Sequence, residues 1–156
     1  MSQHALLSPS SAERWMTCAG APAMERGLPD ESSKYSDEGT AAHLLGSTCL
    51  QRDTDPQAYK GHQIHVGLSE GFDGAVWGAD MEAHQPFDGR GLYIVDDEMI
   101  EAVGRYVDKV REYAAGGILM AEQRVSIAHL TGEAEAEGTS DAVVTLPGEL
   151  QVHDLK

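Results

Sequence analysis

Met99, Ile100, Val103, Tyr106, Val107, Val110 and Tyr113 return every three or four residues, the spacing that gathers side chains on one face of an α-helix. A strand cannot do this, because its side chains alternate sides. Asp96 or Asp97 can cap the start of such a helix, and Gly116-Gly117 can end it. The opposite face carries Glu101, Arg105, Asp108, Lys109 and Glu112, with Glu101 and Arg105 a favourable pair one turn apart. The pattern then changes. Ile118 to Ile127, Ser140 to Leu146 and Glu149 to Lys156 read as three strands, the last two joined by a Pro147-Gly148 turn. A long helix followed by a block of strands excludes a repeating βαβ chain and predicts an α+β fold.

Upstream, Ser8-Pro9 suits a helix start, Ser10 and Glu13 have capping-box spacing, and Trp15, Met16 and Cys18 supply an apolar patch before Gly20 and Pro22. Gly27 to Ser36 reads as a loop. A second helix is expected from Asp37, with Asp37 and Glu38 at its positive end and Ala41, Leu44, Leu45 and Thr48 as its buried stripe. Residues 51–91 are rich in glycine and lack a sustained helical period, so they read as an insertion or functional loop. Short strands are expected within it at Gln63–Val66 and Gly74–Trp77. Phe-Asp-Gly occurs twice there, at 72–74 and 87–89, which is too little for a repeat. The whole, residues 1–156, is expected to be one domain.

Twenty-six acidic residues against eleven basic ones give a net charge of −15. That argues against whole-surface attraction to phosphate backbones or anionic membranes, yet leaves room for a local basic groove and for divalent cations. Cys18 and Cys49 form no CxxC, so a zinc ribbon is excluded and two reduced thiols are expected. No basic, apolar leader opens the chain, and no apolar run approaches the roughly 20 residues of a membrane span. A cytoplasmic protein is expected.

The residues with chemical potential lie at the end of the last hairpin. Asp141 precedes Ala142-Val143-Val144, and Asp154 follows Val152-His153, with Lys156 two positions on. Strand alternation sends Asp154 and Lys156 to the same side, and one tight turn can bring both carboxylates to the same end of adjacent strands. Adjacent carboxylates repel unless a cation neutralises them or one is protonated. Mg²⁺ accepts one or two carboxylates and retains waters, and a neighbouring lysine can stabilise charge developing on a phosphate. Acid-x-Lys on an amphipathic strand is also common as a solvated face, and Asp141 alone could be a strand-end residue.

In context, Gly138-Thr139-Ser140-Asp141-Ala142-Val143-Val144 followed by Val152-His153-Asp154-Leu155-Lys156 resembles the RecB-like branch of the PD-(D/E)XK nucleases. There a GxxD strand is joined by a hairpin to a strand ending in D/E-x-K. Glu38-Gly39-Thr40-Ala41-Ala42-His43 looks like that branch's first motif, a helix contributing a histidine. The chain is similar in particular to a phage- and prophage-encoded RecB-like family catalogued as a domain of unknown function. The likeness lies in His4 to Ser11, Arg14-Trp15, Cys18, Met99 to Val110 and Glu122-Gln123-Arg124-Val125.

The resemblance implies a restriction-endonuclease-like core, N-terminal helices on a mixed or antiparallel sheet. It also implies a metal-dependent DNA nuclease, of exonuclease type, serving phage recombination or DNA processing. Residue by residue, His43, Asp141 and Asp154 would be ligands of Mg²⁺ or Mn²⁺, with the Leu155 carbonyl as a further oxygen and Lys156 as the catalytic lysine. Glu38 and Glu122 are secondary candidates. DNA, and phage recombination or replication proteins, would be the partners. Such relatives continue beyond the lysine, so the core is expected to be incomplete at its C-terminus, which leaves activity of this chain by itself an open expectation. A silent nuclease remnant, a binding module and an acidic DNA mimic are the alternatives.

Other motifs are weaker. Gly67-Leu68-Ser69-Glu70-Gly71 matches a nucleophile elbow, but the glycines after it disfavour the helix that motif requires. His62 and His65 have ligand spacing without an evident third ligand. Cys18 matches the early cysteine of relatives that hold an iron–sulfur cluster, but the three late ones are absent from the sequence.

Overall fold

A computed structural model describes residues 5–25, 34–67, 74–79 and 91–155. The nucleophile-elbow serine, both Phe-Asp pairs, His4 and Lys156 lie outside the described residues. The fold is α+β. In chain order come α1 (Ala12–Thr17), α2 (Ala21–Glu25), α3 (Lys34–Arg52), β1 (Gln63–Val66), β2 (Ala75–Trp77), β3 (Gly91–Ile94) and α4 (Asp97–Ala114). They are followed by β4 (Ile118–Ser126), α5 (Ala128–Thr131), β5 (Glu137–Leu146) and β6 (Glu149–His153). The chain forms two compact units, residues 1–31 with 122–140, and residues 32–121 with 141–156.

The larger unit holds most of the core. In α4, Met99, Val103, Val107 and Val110 are buried, and the Asp96 carboxylate accepts the Met99 amide at 2.9 Å. That is the cap the sequence offers, satisfying one of the amides left unpaired at a helix start. On α3, Ala41, Leu45, Thr48, Cys49 and Leu50 are buried, whereas Leu44 is half-buried. The two helices pack on each other.

The C-terminus of α3 is closed by an arginine of α4. Arg111 donates to the carbonyls of Cys49 (3.2 Å) and Thr54 (3.0 Å) and pairs with Asp53 at 3.1 Å. A cation at the carbonyl end of a helix is favoured by the helix dipole, and here it adds to the bond that the Cys49 carbonyl already accepts from the Thr54 amide at 3.1 Å.

The strands expected at Gln63–Val66 and near Trp77 are present, but their setting differs from a loose insertion. β1 pairs antiparallel with β2 (Ile64 opposite Trp77) and with β3 (Ile64 opposite Tyr93), in the order β2-β1-β3. Ile64 and Val66 alternate with the more exposed Gln63 and His65, so this strand puts one face into the core against α3. The antiparallel sheet beneath α3 is therefore built from this stretch.

The second sheet has the order β4-β5-β6. Its hairpin register runs from Leu146 opposite Glu149 to Ala142 opposite His153. Pro147 and Gly148 make the turn, Gly148 at φ +79°, a value that glycine adopts without steric cost. Ala142 and Val144 join the core of the larger unit.

In the smaller unit the single N-terminal helix expected from Ser8 is instead a 3₁₀ turn, Pro9–Ser11, followed by the short α1 and α2. The Ser8 and Ser11 hydroxyls bond each other at 2.9 Å, and neither makes a side-chain cap. Trp15 Nε1 donates to the Ser8 carbonyl at 3.0 Å, while Met16 and Cys18 of the expected apolar patch are exposed.

Candidate metal centre

Register carries Asp141 to the end of the paired hairpin. Pairing ends at Ala142 opposite His153, so Asp141 and Asp154 occupy the next position outward on the two chains. Backbone pairing gives way there to a side chain. The Leu155 amide donates to Asp141 Oδ2 at 2.7 Å, fixing the start of the D-x-K segment to the strand that precedes the turn.

His43 reaches the same carboxylate from the middle of α3. Its Nδ1 lies 3.1 Å from Asp141 Oδ1, with 35% of the imidazole side chain and 14% of the aspartate side chain exposed. One turn further along α3, Gly46 faces Leu155 and Tyr106. A Cβ built on it would lie 3.6 Å from each of those side chains. That is ordinary van der Waals distance, so the end of the hairpin lies against this turn of the helix, and so beside His43, without requiring a glycine there.

The electrostatics are those of an acid short of a counter-charge. Burial pushes the Asp141 carboxyl above its ordinary value, and the neighbouring Asp154 carboxyl pushes the same way, while the Leu155 amide and His43 oppose it. Asp154 is within hydrogen-bond reach of Asp141, a contact that needs a proton on one of the two acids.

Three of the residues singled out from the sequence thus come together: His43, Asp141 and Asp154. Leu155 joins them through its amide N–H. The resemblance implies a role for the Leu155 carbonyl instead, and a backbone amide one residue before Lys156 carries no sequence signal. Lys156 lies outside the described residues. Glu38 is exposed near the start of α3, where its charge and that of Asp37 act on Tyr93. Glu122 belongs to the other compact unit, exposed and with φ at +53°.

Two carboxylates and an imidazole are the right kind of donors for a hard divalent cation. The raised proton affinity of Asp141 has burial as its main cause, with the adjacent acid adding to it. The arrangement is nonetheless pairwise. Among the described residues no group of three or more His, Cys, Asp or Glu side chains is placed to hold a metal ion. That holds also for His62 and His65. His62 instead bonds the Tyr59 carbonyl through Nδ1 at 2.9 Å, and His65 lies half-buried on β1.

A family model described as a protein of unknown function, DUF2800, matches residues 4–156. The chain belongs to the DUF2800 family. The match takes in the histidine of α3 and both hairpin acids, so the candidate centre lies wholly inside the DUF2800 region. No solved structure matches the chain. Among the described residues no helix is long and apolar enough to cross a membrane.

Proposed function

We propose that this DUF2800 protein is a metal-dependent phosphodiester hydrolase acting on DNA, an exonuclease of the RecB-like PD-(D/E)XK type. One observation carries the reading: a helix histidine and the acids of a GxxD strand and a D-x-K strand meet at one point, His43 Nδ1 3.1 Å from Asp141 Oδ1. Those residues are far apart in sequence, and their meeting is what the resemblance asks of them.

In this reading His43, Asp141 and Asp154 hold Mg²⁺ or Mn²⁺. When bound, the ion supplies an activated water and neutralises charge on the phosphoryl oxygens. The chain's own part is to set positions. Asp141 Oδ2 holds the Leu155 amide, which fixes the backbone one residue before Lys156. Asp141 Oδ1 orients the imidazole of His43. Lys156, next in the chain, adds a positive charge to offset the one that builds up on the phosphate. DNA is the partner, with phage recombination or replication proteins, in the cytoplasm of a bacterium or infected cell.

A second reading, a binding module without catalysis, is favoured by the absence of a three-donor group among the described residues. Incubation with linear DNA and Mg²⁺ or Mn²⁺ separates the two. Cation-dependent cleavage that disappears in both Asp154→Ala and Lys156→Ala is expected for a hydrolase. DNA retained intact with either cation, or cleavage unchanged in both variants, overturns it.

A further inference from the structure

The larger unit contains a cavity of about 420 Å³ away from the candidate metal centre, bounded by Arg52, Tyr59, His62, Gln63, Trp77 and Gly78. Its size is that of a small-molecule site. Its wall is aromatic. Tyr59 and Trp77 stack with centroids 5.1 Å apart at 25°, and the His62 ring meets both edge-on at 5.8 and 6.1 Å.

The rings are held by their polar ends. Trp77 Nε1 donates to Thr48 Oγ1 at 3.2 Å, and the Tyr59 hydroxyl bonds Thr54 Oγ1 at 3.1 Å. An aromatic platform oriented in this way loses little freedom on binding, which favours affinity. Gly78 lets its backbone approach Gln63 closely, since a Cβ there would stand 3.0 Å from Gln63 Cβ and 3.3 Å from its carbonyl oxygen.

Charge decides what the platform fits. In a chain of net charge −15, the described residues of the lining include an arginine and a histidine and no acid. Aromatic rings attract cations through their faces, but like-charge repulsion from the Arg52 guanidinium disfavours a cationic guest here. Among the described residues no hydrogen bond or ion pair occupies the Arg52 side chain. His62 Nδ1 is engaged by the Tyr59 carbonyl, so its other nitrogen is left for a guest. Gln63 adds an amide that can both donate and accept.

From a planar wall, an amide and a cation at the rim we infer that this cavity takes a nucleotide. Its base stacks on an outer face of the Tyr59–Trp77 pair and its phosphate meets Arg52. Stacking on aromatic side chains is tolerant of base identity, and Arg52 supplies the charge-assisted contact that a phosphate favours. The shared chemistry is a base joined to a phosphate, from either a free mononucleotide or an unpaired nucleotide of a single strand.

The test is a titration with EDTA present, so its outcome is independent of the metal reading. In a Trp15→Phe background Trp77 is the sole indole, and its fluorescence is followed with deoxyadenosine monophosphate, deoxyadenosine, inorganic phosphate and a short oligo-deoxyadenylate. Saturable quenching by the monophosphate is expected, about tenfold tighter than by deoxyadenosine, with Arg52→Gln removing that difference. Tighter binding of the oligonucleotide supports an unpaired strand as the source, and equal or weaker binding supports the free nucleotide. Calorimetry on the unaltered chain guards against a folding defect in the variant. No heat and no quenching with either the monophosphate or the oligonucleotide overturns the assignment, as does inorganic phosphate binding as tightly as the monophosphate.

Discussion

In the larger unit α3 and α4, of 19 and 18 residues, enclose Leu45, Val103, Val107 and Val110 at no more than 1% exposure. In the smaller unit the described helices α1, α2 and α5 have six, five and four residues, and none has a buried side chain. Isolated helices that short are marginal in water, and a helix draws most of its stability from the face it buries. Buried residues, more than helix-forming preference, separate the two units. Opening of the larger unit should therefore require nearly the global unfolding energy, while the smaller should open at lower cost.

The sharpest way to break that contrast is to remove the same side chain from each unit. Leu45, fully buried on α3, should cost about 2–5 kcal/mol as Leu45→Ala, a large part of a typical domain's stability. Leu6, 44% exposed, should change stability by no more than about 0.5 kcal/mol as Leu6→Ala. Urea unfolding followed by far-ultraviolet circular dichroism gives both numbers. Similar losses would mean that burial does not distinguish the units.

Arg111 comes next. Arg111→Met keeps the stem of the side chain and removes the guanidinium from the carbonyls of Cys49 and Thr54 and from Asp53. A loss of about 1–3 kcal/mol is expected, as for hydrogen bonds made by a charged group. Amide exchange should then speed up first at the C-terminal turn of α3, before the rest of that helix. Uniform acceleration along α3 would place the role of Arg111 elsewhere.

At the candidate centre stability and function are expected to oppose each other. The Asp141 carboxyl is held above its ordinary value by burial, and Asp154 adds to this. An acid with a raised folded-state pKa binds its proton more tightly when folded. Its destabilising effect is absent below the unfolded pKa, grows as pH rises between the two values, and is complete above the folded one. The metal-free protein should accordingly lose stability as pH rises through that window, and Asp141→Asn should flatten this part of the profile. The variant should melt higher near neutral pH, about 2–4 °C for each kcal/mol recovered. Mg²⁺ or Mn²⁺ should raise the melting temperature of the parent protein alone. A variant that melts lower at neutral pH and still gains from metal would remove Asp141 from the centre.

The same physics explains what could be read from the sequence. Helix α4 was legible because Met99, Val103, Val107 and Val110 repeat a buried face over several turns. β1 was legible through Ile64 and Val66, but β3 was not. Leu92-Tyr93-Ile94-Val95 is a short apolar run without polar alternation, Leu92 and Ile94 are exposed rather than buried, and the strand's place is set by pairing with residues some thirty positions earlier. The closeness of Asp141 and Asp154 follows from a two-residue turn and strand register, both local. The His43 contact is different, since nothing in the spacing from α3 to β5 requires it. The Tyr59–Trp77 platform had no signal beyond two aromatic residues in a glycine-rich stretch.

The smallest effects sharpen the comparison further, because one substitution should act with opposite sign in the two units. Gly104 sits in the middle of α4 with nothing within 4 Å of the position its Cβ would take. Gly104→Ala removes the helix penalty of glycine and meets no obstacle, so a gain of about 0.5–1 kcal/mol is expected. Gly132 also has open space around it, but it ends α5 at φ +76°, where an L-residue is strained. Gly132→Ala should cost about 1 kcal/mol or somewhat more. Space is available at both sites, so the difference in sign isolates backbone conformation from packing. Thermal melts of the two variants, measured side by side, give the sign directly, and a gain in both would mean that α5 does not hold its left-handed end in solution.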